Sequence, residues 1–156
     1  IEVLGNLDEL TASLGLARSL NFQPINTDIK KVQKKIYLIM AEVAATEETL
    51  QRFSVLSQKD LEELEGMIES YSATTNLPKD FILSGDTNAS AAISVARTVA
   101  RRAERRLVES KKNGNKIREL IMQYMNRLSS LLYIIEIYIL NQAGEGAFSF
   151  AKEKDA

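Results

Sequence analysis

Residues 121–141 read Ile121-Met-Gln-Tyr-Met-Asn-Arg-Leu-Ser-Ser-Leu-Leu-Tyr-Ile-Ile-Glu-Ile-Tyr-Ile-Leu-Asn141, and this stretch decides the fold. Ile121, Tyr124, Leu128, Leu131, Leu132 and Ile135 recur at steps of one, three and four, the pattern of one face of an α-helix. At about 100° per residue, Tyr133 and Ile137 fall on the opposite side, in a row headed by Asn126. A helix apolar nearly all round is buried nearly all round. The second apolar face therefore predicts a central helix or a subunit interface, and the interface is favoured because an exposed patch of this kind is a liability. The run from Leu131 to Leu140 is interrupted by Glu136 and is far shorter than the roughly 20 residues of a membrane span.

The same period continues upstream. Ala92, Ala96, Val99, Ala103 and Leu107 make the apolar side of a helix from about Ala89 to Ser110, closed by Asn113-Gly114. A first helix, about Leu4 to Leu20, carries Leu7, Leu10, Leu14 and Ala17. Asp28 is expected to cap a second, striped with Ile29, Val32, Ile36, Ile39, Met40 and Val43 and fading near Leu50. Ser57 is the expected cap of a third, with Leu61, Leu64, Met67, Ile68 and Tyr71. Phe81-Ile82-Leu83 is too short to read as a strand, and Ser84-Gly85-Asp86-Thr87-Asn88 has the composition of a loop. Seven Gly and two Pro in 156 residues argue against a turn-rich β fold. The expected fold is all-α, a five-helix up-and-down bundle. Residues 1–142 form its single domain, and 143–156 form a polar, exposed C-terminal tail.

Composition restricts the chemistry. There is no His, no Cys and no Trp, so triads built on imidazole, thiolate nucleophiles, disulfides and thiolate or imidazole metal sites are excluded. No metal-ligating residue set is predicted. Twenty Lys+Arg against 21 Asp+Glu give a net charge of −1, which supplies no global drive toward nucleic acid or anionic membrane. With no basic leader followed by an apolar run, the expectation is a soluble, cytoplasmic protein without nucleic-acid or membrane partners.

One helix carries an unusual charge pattern: Arg97, Arg101, Arg102, Arg105 and Arg106, with Glu104 among them. Arg102 and Arg106 point away from the apolar side, whereas Arg97, Arg101 and Glu104 share a stripe bordering it. Two readings follow from spacing. One is a solvated face whose Arg and Glu pair along the helix for a few tenths of a kcal/mol each. The other is an anion site, with guanidinium forks aimed at phosphates and a carboxylate holding them in place. The Gly85 loop before the helix supports the second, since free N–H groups at a helix start attract phosphate.

The order of motifs is more specific than any one of them. Gly5-Asn-Leu-Asp8-Glu9-Leu, Phe81-Ile-Leu-Ser-Gly, Ala96-Arg97-Thr-Val-Ala-Arg101-Arg-Ala-Glu104-Arg105 and Tyr124-Met-Asn126-Arg127-Leu-Ser129 together resemble the PduO-type ATP:corrinoid adenosyltransferases, over nearly the whole chain. The resemblance implies a five-helix bundle assembled as a homotrimer. It implies transfer of the 5′-deoxyadenosyl group of ATP to the cobalt of cob(I)alamin, releasing triphosphate, at sites between subunits and usually with Mg²⁺. By motif position Arg101, Glu104, Arg105 and Asn126 are expected to contact ATP. Arg97 matches the family arginine that pairs with an aspartate of the neighbouring subunit, and Asp8 matches that aspartate. Phe81 matches the aromatic residue that closes the lower face of the corrinoid and keeps its cobalt four-coordinate.

Taken alone, Phe81 reads as a core residue, and Asp8 as an ordinary first-helix carboxylate. Asn126, an amide on a hydrophobic row, needs partners. The chain departs from the family pattern in two places. A Thr-Arg-Thr-Gly-Asp-x-Gly-like segment that wraps the phosphates precedes the position of Gly5 in the family, and Ser94 stands where members often carry a histidine. The alternative on the same scaffold is a non-catalytic nucleotide- or corrinoid-binding trimer, a sensor or cofactor chaperone. The absent His and Cys fit the catalytic reading, because the reduced corrinoid is itself the nucleophile and the protein need only position and stabilise.

Overall fold

Side chains satisfy free backbone N–H groups at the starts of three helices, whereas two others begin without such a cap. In a computed structural model describing residues 2–53, 55–144 and 146–152, the helices are α1 (Glu2–Ser19), α2 (Ile25–Ala44), α3 (Glu47–Leu50), α4 (Gln58–Ala73), α5 (Asn88–Lys112) and α6 (Glu119–Gln142). Ser57 caps α4 as its sequence predicts: its hydroxyl accepts from the Asp60 N–H, and the Asp60 carboxylate accepts from the Ser57 N–H at 2.8 Å. Thr87 and Ser90 do the same for α5. At the other end of α5, Gly114 takes a positive φ of 92°, open to glycine without strain.

Asp28 does not cap α2. The helix starts three residues earlier, at Ile25, and the Asp28 carboxylate instead accepts a 2.8 Å hydrogen bond from the Tyr71 hydroxyl on α4. This bond and burial hold the Tyr71 phenol well above its usual pKa. The five expected helices are present, with the single turn α3 added between the second and third. It is held by a Thr46–Thr49 capping box, a polar local signal that hydrophobic period does not register.

The packing order is α2 on α1, α1 on α5, α5 on α6 and α6 on α4. The expected stripes of α1, α5 and α6 are buried to the last residue, and α2 and α4 leave only Met40, Val43, Met67 and Ile68 partly exposed at the core margin. At the margin of α2, Glu42 is buried and paired with Arg118, whose Nη2 donates at 2.8 Å to the carboxylate and also to the Leu56 carbonyl.

The second face of α6 is only partly open. Tyr133 is exposed, but Ile137 is fully buried within the single chain, so half of the face read as an interface is covered intramolecularly. The segment after α6 also departs from the expected exposed tail. It turns back to the Phe81 segment, where Ile82 and Phe150 form an antiparallel bridge. The Leu83 N–H donates to the Ser149 carbonyl at 2.7 Å, and the Ala151 N–H donates to the Phe81 carbonyl at 2.8 Å. Two aromatic residues, Phe148 and Phe150, stack there with ring centroids 6.2 Å apart. Polar composition made this segment look solvated; unpaired backbone groups at residues 81–83 supply the partner it needed. No helix among the described residues is long and apolar enough to cross a membrane.

Candidate active site

The arginines of α5 divide into two sets. Arg102 donates from Nε to Asn6 at 3.1 Å and pairs with Glu9, and Arg106 pairs with Glu2 at 3.1 Å, so both fasten α5 to α1. Arg101 and Arg105 make no ion pair or hydrogen bond among the described residues. They face the other side of α5, toward α6, and line a cavity of about 500 Å³ together with Glu104, Val108, Asn126, Ser129 and Ser130. Pairing of Arg101 or Arg105 with Glu104, the bland alternative, does not occur. Glu104 instead accepts a 3.0 Å hydrogen bond from the Asn126 amide; Asn126 is exposed, so this is not the pairing of a buried amide that its hydrophobic row suggested.

Two unneutralised guanidinium groups beside one carboxylate and one amide suit a polyanion: each arginine offers a planar fork of donors to phosphate oxygens. The cavity lies well down α5, 13 residues past Asn88, or about 20 Å at helical rise. The α5 N-terminus is already capped by Thr87. The Gly85 loop therefore lies apart from this cavity, whose cationic character comes from the mid-helix arginines.

A second cavity, of about 760 Å³, adjoins the first and shares Arg101, Ser129 and Ser130 with it. Its wall includes Phe81, Ser84, Arg97, Tyr133, Ile134 and Glu136. Phe81 is 88% exposed, which overturns its reading as a core residue. The ring stands out to solvent at the rim of the cavity, a place that suits contact with an apolar ligand face. Ser84 and Ser94 hydrogen bond at 2.7 Å and tie the start of α5 to the Phe81 segment. Arg97 lies one turn on from Ser94, with its Nε 4.0 Å from the Glu136 carboxylate.

Six of the seven residues singled out in the sequence thus line one or other of two confluent cavities. Asp8 does not: it is exposed on α1, and Arg97 is engaged by Glu136 within its own chain. Sequence reasoning missed Glu136, Ser129, Ser130 and Tyr133. The signal for Glu136 was present, a single charge inside an apolar run. Ser129 closes the Tyr124–Ser129 motif without being singled out there, and Ser130 carries no pattern of its own.

The sequence profile of the family described as cobalamin adenosyltransferase matches residues 1–139. The chain belongs to the cobalamin adenosyltransferase family. It is 36% identical over 137 residues to the corrinoid adenosyltransferase PduO of Salmonella typhimurium, covering 86% of this chain and 40% of that protein. A corrinoid adenosyltransferase of Citrobacter freundii is 31% identical over 135 residues, covering 85% of this chain and 76% of its own length. The fold agrees with a solved variant of a PduO-type ATP:corrinoid adenosyltransferase from Lactobacillus reuteri complexed with cobalamin and ATP. That comparison has a TM-score of 0.77 at 27% identity, covering 88% of this chain and 77% of that one. The chain spans about two-fifths of the length of the PduO relatives from Salmonella and Citrobacter.

Proposed function

We propose that this cobalamin adenosyltransferase family member transfers the 5′-deoxyadenosyl group of ATP to the cobalt of a reduced corrinoid such as cob(I)alamin. A cobalt–carbon bond forms at C5′, the C5′–O bond breaks, and triphosphate leaves with the bonding electrons. The observation that carries the reading is the pair of unneutralised arginines, Arg101 and Arg105, in a cavity confluent with one rimmed by Phe81.

In this reading Arg101 and Arg105 bind the triphosphate and stabilise the charge that develops on it, the effect that contributes most in such displacements. Arg101 stands where the cavities meet, which suits the residue nearest the breaking bond. Glu104 and Asn126, joined by their hydrogen bond, orient the nucleotide. Phe81 covers the lower face of the corrinoid and keeps a ligand from that side of the cobalt. Arg97 pairs with Asp8 of an adjoining subunit, completing the site in a homotrimer. Mg²⁺ enters as a companion of the ATP phosphates, with Glu104 the one carboxylate of the phosphate cavity. The enzyme is assigned to the cytoplasm.

The test is anaerobic incubation of the purified protein with ATP, Mg²⁺ and chemically reduced cobalamin, followed by the visible spectrum of the corrinoid. Adenosylcobalamin is the expected product. Binding of either ligand without formation of the cobalt–carbon bond would sink the catalytic reading and leave a sensor or chaperone.

A further inference from the structure

Glu136 is the one charge in the Leu131–Leu140 run, and the proposed mechanism has no use for it. It is 3% exposed, and burial raises its carboxyl above the usual range against the lowering effects of Arg97 and the Ser94 hydroxyl. A carboxylate in such a place is retained at a cost unless it has a partner. The nearest cation is Arg97, at 4.0 Å from Nε. That Nε is itself buried and lacks a hydrogen-bond partner. Two buried polar groups on facing helices, α5 and α6, therefore each satisfy the other's charge but stop just short of a hydrogen bond. Both line the cavity that Phe81 rims. The remaining charges on that wall are Lys79, Asp80, Arg101 and Arg127. Arg127 is already paired with Glu65, its Nη2 donating at 3.0 Å.

We propose that Glu136 is a positioning residue. It holds the Arg97 guanidinium by its Nε edge, so that the other nitrogens present a fixed fork to the carboxylate of the adjoining subunit. The proposal rests on the adenosyltransferase reading above. An arginine has donors on two sides, and a carboxylate within the subunit can fix one while a carboxylate across the interface takes the other. Assembly of the site draws the Arg97 Nε from 4.0 Å to hydrogen-bond distance of Glu136, a movement of about 1 Å.

Three variants test it under single-turnover conditions with ATP and reduced cobalamin: Glu136→Gln, Arg97→Lys and the double variant. E136Q keeps the shape and removes the charge, whereas R97K keeps the charge and removes the Nε edge. Each is expected to lower kcat by about ten- to a hundred-fold, the scale of a misplaced catalytic group, with KM for ATP within about threefold of wild type. The double variant is expected to be no slower than the slower single variant, because each change removes the same contact. Wild-type kcat in E136Q, or losses that multiply in the double variant, would overturn the assignment. Glu136→Asp, which retains the charge at shorter reach, covers failure of E136Q to fold: its loss is expected to be non-additive with R97K, and an additive loss again refutes the role. An inactive wild-type protein would count against the adenosyltransferase reading instead.

Discussion

The Asn126 side-chain amide on α6 donates to the Glu104 carboxylate on α5 at 3.0 Å, at the wall of the arginine-lined cavity. Neither residue belongs to the hydrophobic seam that holds these helices together. The bond spans two helices whose registry is already set by packing, so it orients a carboxylate rather than stabilising a fold.

Replacing Asn126 by Ala should therefore act on the nucleotide and not on the protein. The expected result is an increase of about tenfold in KM for ATP, the value of one lost hydrogen bond to a charged group. The stability change should stay within about 0.5 kcal/mol, as for exposed positions elsewhere. Steady-state kinetics and a thermal melt on the same preparation give both numbers. A large fall in melting temperature with unchanged KM would contradict this account.

Arg101 and Arg102 are neighbours in sequence and should fail in different ways. R101A removes a cavity guanidinium and is expected to cost at least about a hundredfold in adenosylation rate, as loss of a transition-state donor does, with little change in melting. R102A removes the contacts to Asn6 and Glu9 on α1. Because that pair is largely exposed, the expected cost is only about 0.2–1 kcal/mol of stability, with the rate per folded molecule preserved. Measuring rate and melting temperature for both variants checks the division, and a reversed pattern would refute it.

Phe81 is the clearest separation of function from stability. Its ring is exposed, so F81A forfeits little burial and should melt within about 0.5 kcal/mol of wild type. Loss of the hydrophobic wall should nonetheless lower the adenosylation rate by tenfold or more, about 1.4 kcal/mol of barrier. An F81A protein that unfolds readily would show that the ring is core after all.

Glu136 gives the stability curve a definite slope. Its carboxyl titrates above the ordinary 4.5 in the folded protein because burial disfavours the charge. The folded state thus binds the proton more tightly than the unfolded chain does. The resulting stabilisation is complete below the unfolded value and is lost as pH rises through the folded one. Gln, which resembles the protonated acid, should make the E136Q variant the more stable protein at pH 8. The difference should shrink as pH falls toward 4. Melting temperatures of the two proteins across that range decide it; a gap that widens on acidification has the wrong sign.

What could be read in advance follows the physics of each signal. The stripes of α1, α5 and α6 were legible because a buried face repeats over many turns, and every residue of those stripes is buried. The division of the α5 arginines was legible, with Arg102 and Arg106 on one side and Arg97 and Arg101 on a stripe bordering the apolar face, but not that the first two fasten α5 to α1. Which arginines are spent on α1 depends on Glu2, Asn6 and Glu9 lying opposite, a fact of tertiary packing. Taken alone Phe81 signals core, because aromatic residues are usually buried; only the family motif pointed to an outward ring, which a loop tied down from elsewhere holds. That tie, Ser149-Phe150-Ala151, is short and of mixed character, with no period to detect. Asp28 looked like a cap by composition, but its acceptor was claimed by Tyr71, 43 positions away.

The contact between Ser149 and Asp86 joins positions 63 apart in sequence. Everything that lines the two cavities from Phe81 onward lies inside or beside the loop this contact closes. Closing it fixes the Phe81 segment against residues 149–151. The rim of the second cavity therefore depends on contacts from beyond α6 as well as on the pairing of α5 with α6.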